Sequence, residues 1–290
     1  MTNEIIRALE NAGREGEVIP LCIMEAERTY NYERLVKQLK KAGRTAEAEE
    51  WIHKGIVATR KKWPGIAGFL KKELLDIRSH KKDWLYVTAL CADEFFEKPC
   101  LKAFEEIQKA SEKAKVWPPV REAILHFLRS GKNPREGSND WPLPDTGIER
   151  ANSALFGGPP FTDVLIDIAI HEKRVDDVLE WFNVHKQKRK DWMGDDLKDR
   201  VATAIAHKYP DKALMIWKEL AESRISVANV AAYSEGAKYL RKAQKTLMQH
   251  GKTSEWDTYL HRLKEENRRR PRLIEILDAL SQKPIIRIKH

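Results

Sequence analysis

The sequence predicts an all-α protein, an α-solenoid of antiparallel helical hairpins stacked on one another. Three observations carry that expectation. First, a short phrase recurs: Leu9-x-x-Ala12-Gly13-Arg14-x-x-Glu17 returns as Leu39-x-x-Ala42-Gly43-Arg44-x-x-Glu47, and a looser copy reads Leu247-x-x-His250-Gly251-Lys252-x-x-Glu255. Each copy describes a helix end, a glycine in the left-handed conformation that a β-carbon would strain, and an immediate new helix. Second, the apolar residues between such turns fall at helical spacing. Third, only 14 glycines and 13 prolines among 290 residues leave little turn chemistry for a hairpin-rich β protein. Repetition of this kind decides architecture, because short connections set consecutive helices antiparallel and no single helix buries its stripe alone.

Taken in order, the pattern predicts N-terminal helices over 3–12, 15–29, 31–42, 44–61 and 65–79. The stripe Val87, Leu90, Cys91, Glu94 and Phe95, flanked by Phe96, follows, and then helices over 99–114 and 118–130. Residues 131–160 break the rhythm with Pro142, Pro144, Pro159 and Pro160, and read as a packed connection between two helical arrays, 1–130 and 161–290. In the second array Phe161, Val164, Leu165, Ile168 and Ala169 form one apolar stripe. Ala213, Leu214, Trp217, Leu220 and Ala221 form another, opened by Pro210, which suits a first helical turn. Further helices are expected at 174–188, 191–207, 226–249, 252–269 and 271–281, and Pro284 to Ile288 reads as a disordered or loosely docked tail.

Apolar residues make up 42% and charged residues 33% of the chain, which fits a folded protein able to bury a core without disulfide or metal. No run approaches 18 apolar residues and the N-terminal segment lacks the features of a signal peptide, so a cytoplasmic protein with no membrane partner is expected. Cys22, Cys91 and Cys100 offer no pair at zinc spacing and read as reduced thiols on helix faces.

Catalytic signatures fail residue by residue. His171-Glu172-Lys173-Arg174-Val175 has valine where a zinc-protease helix needs its second histidine. Gly251-Lys252-Thr253 lacks the upstream glycine of a phosphate-binding loop, since Thr246 stands there. Asp176-Asp177 and Asp195-Asp196 are adjacent, so their carboxylates diverge on a helix. No catalytic residue, cofactor or metal is expected.

Tryptophans 51, 181, 217 and 256 sit among aliphatic residues and read as core, whereas Trp63, Trp117 and Trp141 each precede a proline and read as plugs of helix junctions. The net charge of +9 permits acidic partners. The basic clusters are Arg60-Lys61-Lys62, Lys186 to Lys190 and Arg268 to Arg272. All lie near helix ends, where cations offset the helix dipole. Candidate contacts to a partner or to phosphate are Lys186, Lys188, Arg189, Lys190, Arg268, Arg269, Arg270 and Arg272.

Several segments carry a family resemblance. Leu9 to Cys22 (LENAGREGEVIPLC), Tyr32 to Val36 (YERLV), Ala48 to Trp51 (AEEW), Trp141 to Gly147 (WPLPDTG) and Glu265 to Leu273 (EENRRRPRL) resemble, in this order, the helical region of bacterial SWIM zinc-finger family proteins. The likeness runs from about residue 5 to 281. It implies a tetratricopeptide-like helical array. The family's zinc finger, CxCx(n)CxH, is taken to bind DNA or protein, but this chain has no CxC, so zinc is not carried over. The expected function is a non-catalytic scaffold binding protein or peptide. The alternative is association with nucleic acid through the basic clusters.

Overall fold

A computed structural model describes residues 2–135, 141–148, 158–188 and 194–281. Among these residues the protein is all-helical, with fifteen α-helices and no strand. The chain divides into two compact units, 1–161 and 162–290.

Unit 1 holds α1 (Thr2–Asn11), α2 (Val18–Thr29), α3 (Tyr32–Lys41), α4 (Thr45–Thr59), α5 (Pro64–His80), α6 (Trp84–Glu97), α7 (Leu101–Lys113) and α8 (Trp117–Ser130). Unit 2 holds α9 (Thr162–His171), α10 (Val175–Lys188), α11 (Asp195–Ile205), α12 (Pro210–Ser226), α13 (Val230–Gln249), α14 (Thr253–Glu266) and α15 (Pro271–Ser281). Within each unit a helix packs mainly on its neighbours in sequence. Additional contacts join α3 to α5, α9 to α11 and α13 to α15.

Two expected helices begin elsewhere. The segment 15–29 starts as a 3-10 turn, Glu15–Glu17, and becomes α-helical at Val18. Pro20 then falls in the first turn, where its missing N–H has no intrahelical acceptor to lose. The segment 226–249 splits, since Ser226 ends α12 and the Asn229 side chain caps α13 by accepting the Ala232 N–H at 2.8 Å. The expected tail beyond Ser281 lies outside the described residues, as do 136–140 and 149–157 of the Pro/Gly-rich stretch.

The turns repeat more widely than the sequence phrase. After α3, Gly43 adopts φ +72°; its N–H donates to the Lys40 carbonyl at 3.1 Å, and the Arg44 N–H donates to the Leu39 carbonyl at 2.9 Å. This hydrogen-bond pair closes a helix and points the chain back. The pair recurs at Lys82, Lys115, Lys173 and Gly251, and the bond that spans five residues recurs at Gly13, from Arg14 N–H to Leu9 carbonyl at 2.8 Å. The turn residue has φ between 58° and 72° at all six. At three of them it is lysine.

Two cores result. In unit 1, Leu35 and Leu39 of α3, Ile52 and Ile56 of α4, and Leu70 and Leu74 of α5 are buried together. Gly55 permits that approach, because a β-carbon there would stand 2.6 Å from Leu70 Cδ1 and 2.9 Å from Tyr32 Cγ. A second, aromatic packing group joins Phe95 and Phe96 of α6 to Phe127 of α8, with Phe161 stacked on Phe127 at 5.7 Å. In unit 2 the core gathers Val201, Trp217, Leu240, Leu247, Trp256 and Leu277 from five consecutive helices, α11 to α15. Of the other tryptophans expected in the core, Trp51 and Trp181 are half-buried at its edge. Cys22 and Cys91 are buried, whereas Cys100 precedes α7 instead of lying on its face.

Candidate functional site

The basic residues singled out in unit 2 lie at two separate helix ends. Lys186 and Lys188 occupy the last turn of α10, which packs on α9 and α11. The ammonium of Lys186 sits 4.7 Å from the Phe182 ring centre. Arg189 and Lys190 lie outside the described residues. The arginines stand at the α14–α15 junction, where Pro271 opens α15. They divide into two kinds. Arg270 donates to the Ile225 carbonyl at the end of α12 at 3.1 Å, and Arg272 pairs with Glu275 at 3.0 Å. Arg268 and Arg269 are exposed. Of the four, Arg270 is thus tied to α12, while Arg268, Arg269 and Arg272 keep exposed side chains.

Polar groups converge inside unit 1. Asp93, on the otherwise apolar α6, is 3% exposed. Its carboxylate accepts a hydrogen bond from Thr146 Oγ1 at 2.6 Å and pairs with Arg135 at 2.5 Å. The Tyr86 hydroxyl donates to the Thr146 carbonyl at 2.9 Å and stands 3.4 Å from His53 Nε2. Arg78 lies over the Tyr86 ring at 4.3 Å while donating to Glu49 at 2.6 Å and Asp83 at 2.9 Å. Burial first, then the Arg78 charge, lowers the His53 pKa below the usual histidine value, with Glu49 opposing. Each charge here has an opposite charge within reach, and the set binds residues 141–148 to α6. This is a fastening, in which Leu143 and Ile148 are buried and Trp141 packs on Phe96 at 5.7 Å.

Two of the three thiols are buried. Burial pushes Cys91 up to about 12 and raises Cys22 as well, so neither offers a thiolate near neutral pH. Among the described residues no group of three His, Cys, Asp or Glu side chains is arranged to hold a metal ion, and no helix is long and apolar enough to cross a membrane.

The three Trp-Pro tryptophans part company, which corrects the expectation for one of them. Trp117 packs on Phe104 at 5.3 Å and Trp141 on Phe96, so both bury part of their rings. Trp63 does not plug its junction and is 52% exposed. Its backbone carbonyl starts α5 by accepting the Ile66 N–H at 3.0 Å, which leaves the indole outside. Lys61 and Lys62 beside it are exposed and meet no carboxylate among the described residues, and Val57, in the last turn of α4, is 60% exposed. The first turns of α5 also form one wall of a depression of about 580 Å³, lined by Thr29, Tyr30, Asn31, Glu33, Gly65, Ile66 and Phe69. Tyr30 holds a left-handed backbone, φ 61° and ψ 21°, an uncommon state for a bulky residue. The sequence signal was the run Arg60-Lys61-Lys62-Trp63, in which the indole follows three cations and has no apolar neighbour on its N-terminal side.

Compared with known proteins, the chain matches no family model, no curated protein and no solved structure.

Proposed function

We propose that the protein is a non-catalytic helical-repeat scaffold that binds protein or peptide, built in each unit from stacked antiparallel helical hairpins like those of tetratricopeptide arrays. The observation that carries this reading is the shared turn: the same left-handed residue at six helix ends, five with both hydrogen bonds. Contacts between consecutive helices of each unit, with α3 to α5, α9 to α11 and α13 to α15 besides, fit the same reading. Repeats of this form leave one face of each hairpin to a partner. The resemblance to the helical region of SWIM zinc-finger family proteins is part of the proposal, with the finger left out.

A nucleic-acid role rests on the basic clusters, of which Arg268, Arg269 and Arg272 are exposed, whereas Arg270 is tied to the end of α12. Phosphate binding gains its strength from several cations along one path. Affinity capture with the intact chain at low and high salt, with and without nuclease, separates the two. A protein partner retained at high salt after nuclease treatment is the expected result. Recovery of nucleic acid alone, released as salt rises, would replace the scaffold reading with the second one.

A further inference from the structure

We propose that the corner between α4 and α5 is the docking site for an acidic peptide segment carrying a bulky apolar side chain. The apolar part enters the depression beside α5, and the acidic part meets Lys61 and Lys62. This rests on the scaffold reading and names where its partner binds.

Four observations converge on that corner. Trp63 is a half-exposed indole at a helix start, and tryptophan is the residue type most concentrated at interface centres. Lys61 and Lys62 stand beside it with no carboxylate partner among the described residues, which gives that side of the corner a positive charge that an acidic segment complements. The depression has the size of a ligand pocket and two aromatic walls, Tyr30 and Phe69. Tyr30 ends α2 as a left-handed cap, its N–H donating to the Ala26 carbonyl at 3.0 Å, so that wall is fixed by the helix end.

Glu33 sets which part of the peptide enters the depression. Its carboxylate lines the same depression and repels phosphate and peptide carboxylates alike, so the apolar part of the peptide enters there and its acids stay at Lys61 and Lys62. A peptide has backbone N–H groups that such a carboxylate accepts. Gly65 supplies a clean test. A β-carbon there meets nothing within 4 Å, and its backbone needs no positive φ, so a larger side chain would occupy the depression without disturbing the fold.

The probe is a fluorescein-labelled twelve-residue peptide of aspartate and glutamate around a central Leu-Phe pair, titrated into the full chain by anisotropy. The controls are the same peptide with lysine for each acid and a single-stranded oligothymidylate of equal length. The acidic peptide is expected to bind. Trp63→Ala and Gly65→Leu should each weaken it about tenfold or more while leaving the melting temperature unchanged. Lys61→Gln with Lys62→Gln should weaken it and flatten its salt dependence. No binding of the acidic peptide, or binding that both Trp63→Ala and Gly65→Leu leave intact, overturns the site. Tighter binding of oligothymidylate, lost in the same variants, assigns the corner to nucleic acid and overturns the peptide. A partner captured at high salt by the Gly65→Leu protein as well as by the native chain would keep the scaffold reading while this site falls.

Discussion

The turn after α3 and the turn after α5 use the same backbone hydrogen bonds and reach them by different means. Gly43 takes φ +72° at no steric cost, and the side chains around it do little more than an exposed Arg44–Glu47 pair at 2.5 Å. Lys82 takes φ 58° with a β-carbon, a conformation that costs about 1 kcal/mol. Around that strained turn a network gathers. Asp83 caps α6 by accepting the Tyr86 N–H, Arg78 bridges Asp83 and Glu49, and Lys81 reaches Glu49 at 2.6 Å. One geometry thus has a local solution, written in a single residue, and a distributed solution, written in residues from three helices.

The sharpest way to break the comparison is to remove the centre of the distributed solution. Glu49 is 8% exposed and holds both Arg78 and Lys81. Glu49→Gln should destabilise by about 2–3 kcal/mol, less than a fully buried pair because both cations keep some solvent. Urea unfolding measures it. A loss below about 0.5 kcal/mol would mean the network decorates the turn and does not hold it.

Gly43→Val attacks the local solution. No atom lies within 4 Å of the β-carbon position, so any cost is backbone strain, at about 1–3 kcal/mol. The same measurement reads it, with Gly16→Ala as the control in open space at ordinary φ. Equal stability of the two variants would show that the turn yields freely.

That contrast also explains what was legible beforehand. The helices were, because stripes such as Ala213, Leu214, Trp217 and Leu220 stand at helical spacing and are buried. So were the turns at Gly13, Gly43 and Gly251, since glycine marks a left-handed residue. The turns at Lys82, Lys115 and Lys173 were not, because lysine signals no backbone state and tertiary packing imposes it. Asp93 carries no sequence signal of its burial, because its partner Thr146 is 53 residues away. Trp63 was misread for a related reason. The Trp-Pro pair announces where α5 starts, but nothing in it says whether a neighbouring element covers the indole.

Lys82→Gly sharpens the comparison from the other side, with a gain. It should stabilise by about 0.5–1 kcal/mol, because strain at φ 58° is relieved while both turn hydrogen bonds remain. The gain is smaller than the strain, since glycine also adds freedom to the unfolded chain. Made in the Glu49→Gln background, the same change should recover part of the lost stability. A destabilising Lys82→Gly would mean that the lysine side chain itself supports the turn.

The smallest effect concerns pH and the histidine at the edge of the network. His53 faces Tyr86 from α4, with Arg78 of α5 on one side and Glu49 of its own helix on the other. Burial, then Arg78, lowers its folded pKa below the ordinary value near 6.5, although Glu49 pulls the other way. The unfolded chain therefore takes up this proton at higher pH than the folded chain does. The stability tied to His53 is complete above about pH 6.5 and is lost as pH falls below it, until the folded-state value is passed. Many carboxylates also contribute to acid unfolding, so the native curve alone cannot isolate the effect. The difference between the native chain and His53→Gln, taken by urea unfolding from about pH 7.5 to 5, removes what they share. The native chain should lose more stability over that range than the variant. A difference that stays flat, or one in which the native chain gains on acidification, would show that protonated His53 is accommodated, with Glu49 outweighing burial and Arg78 together.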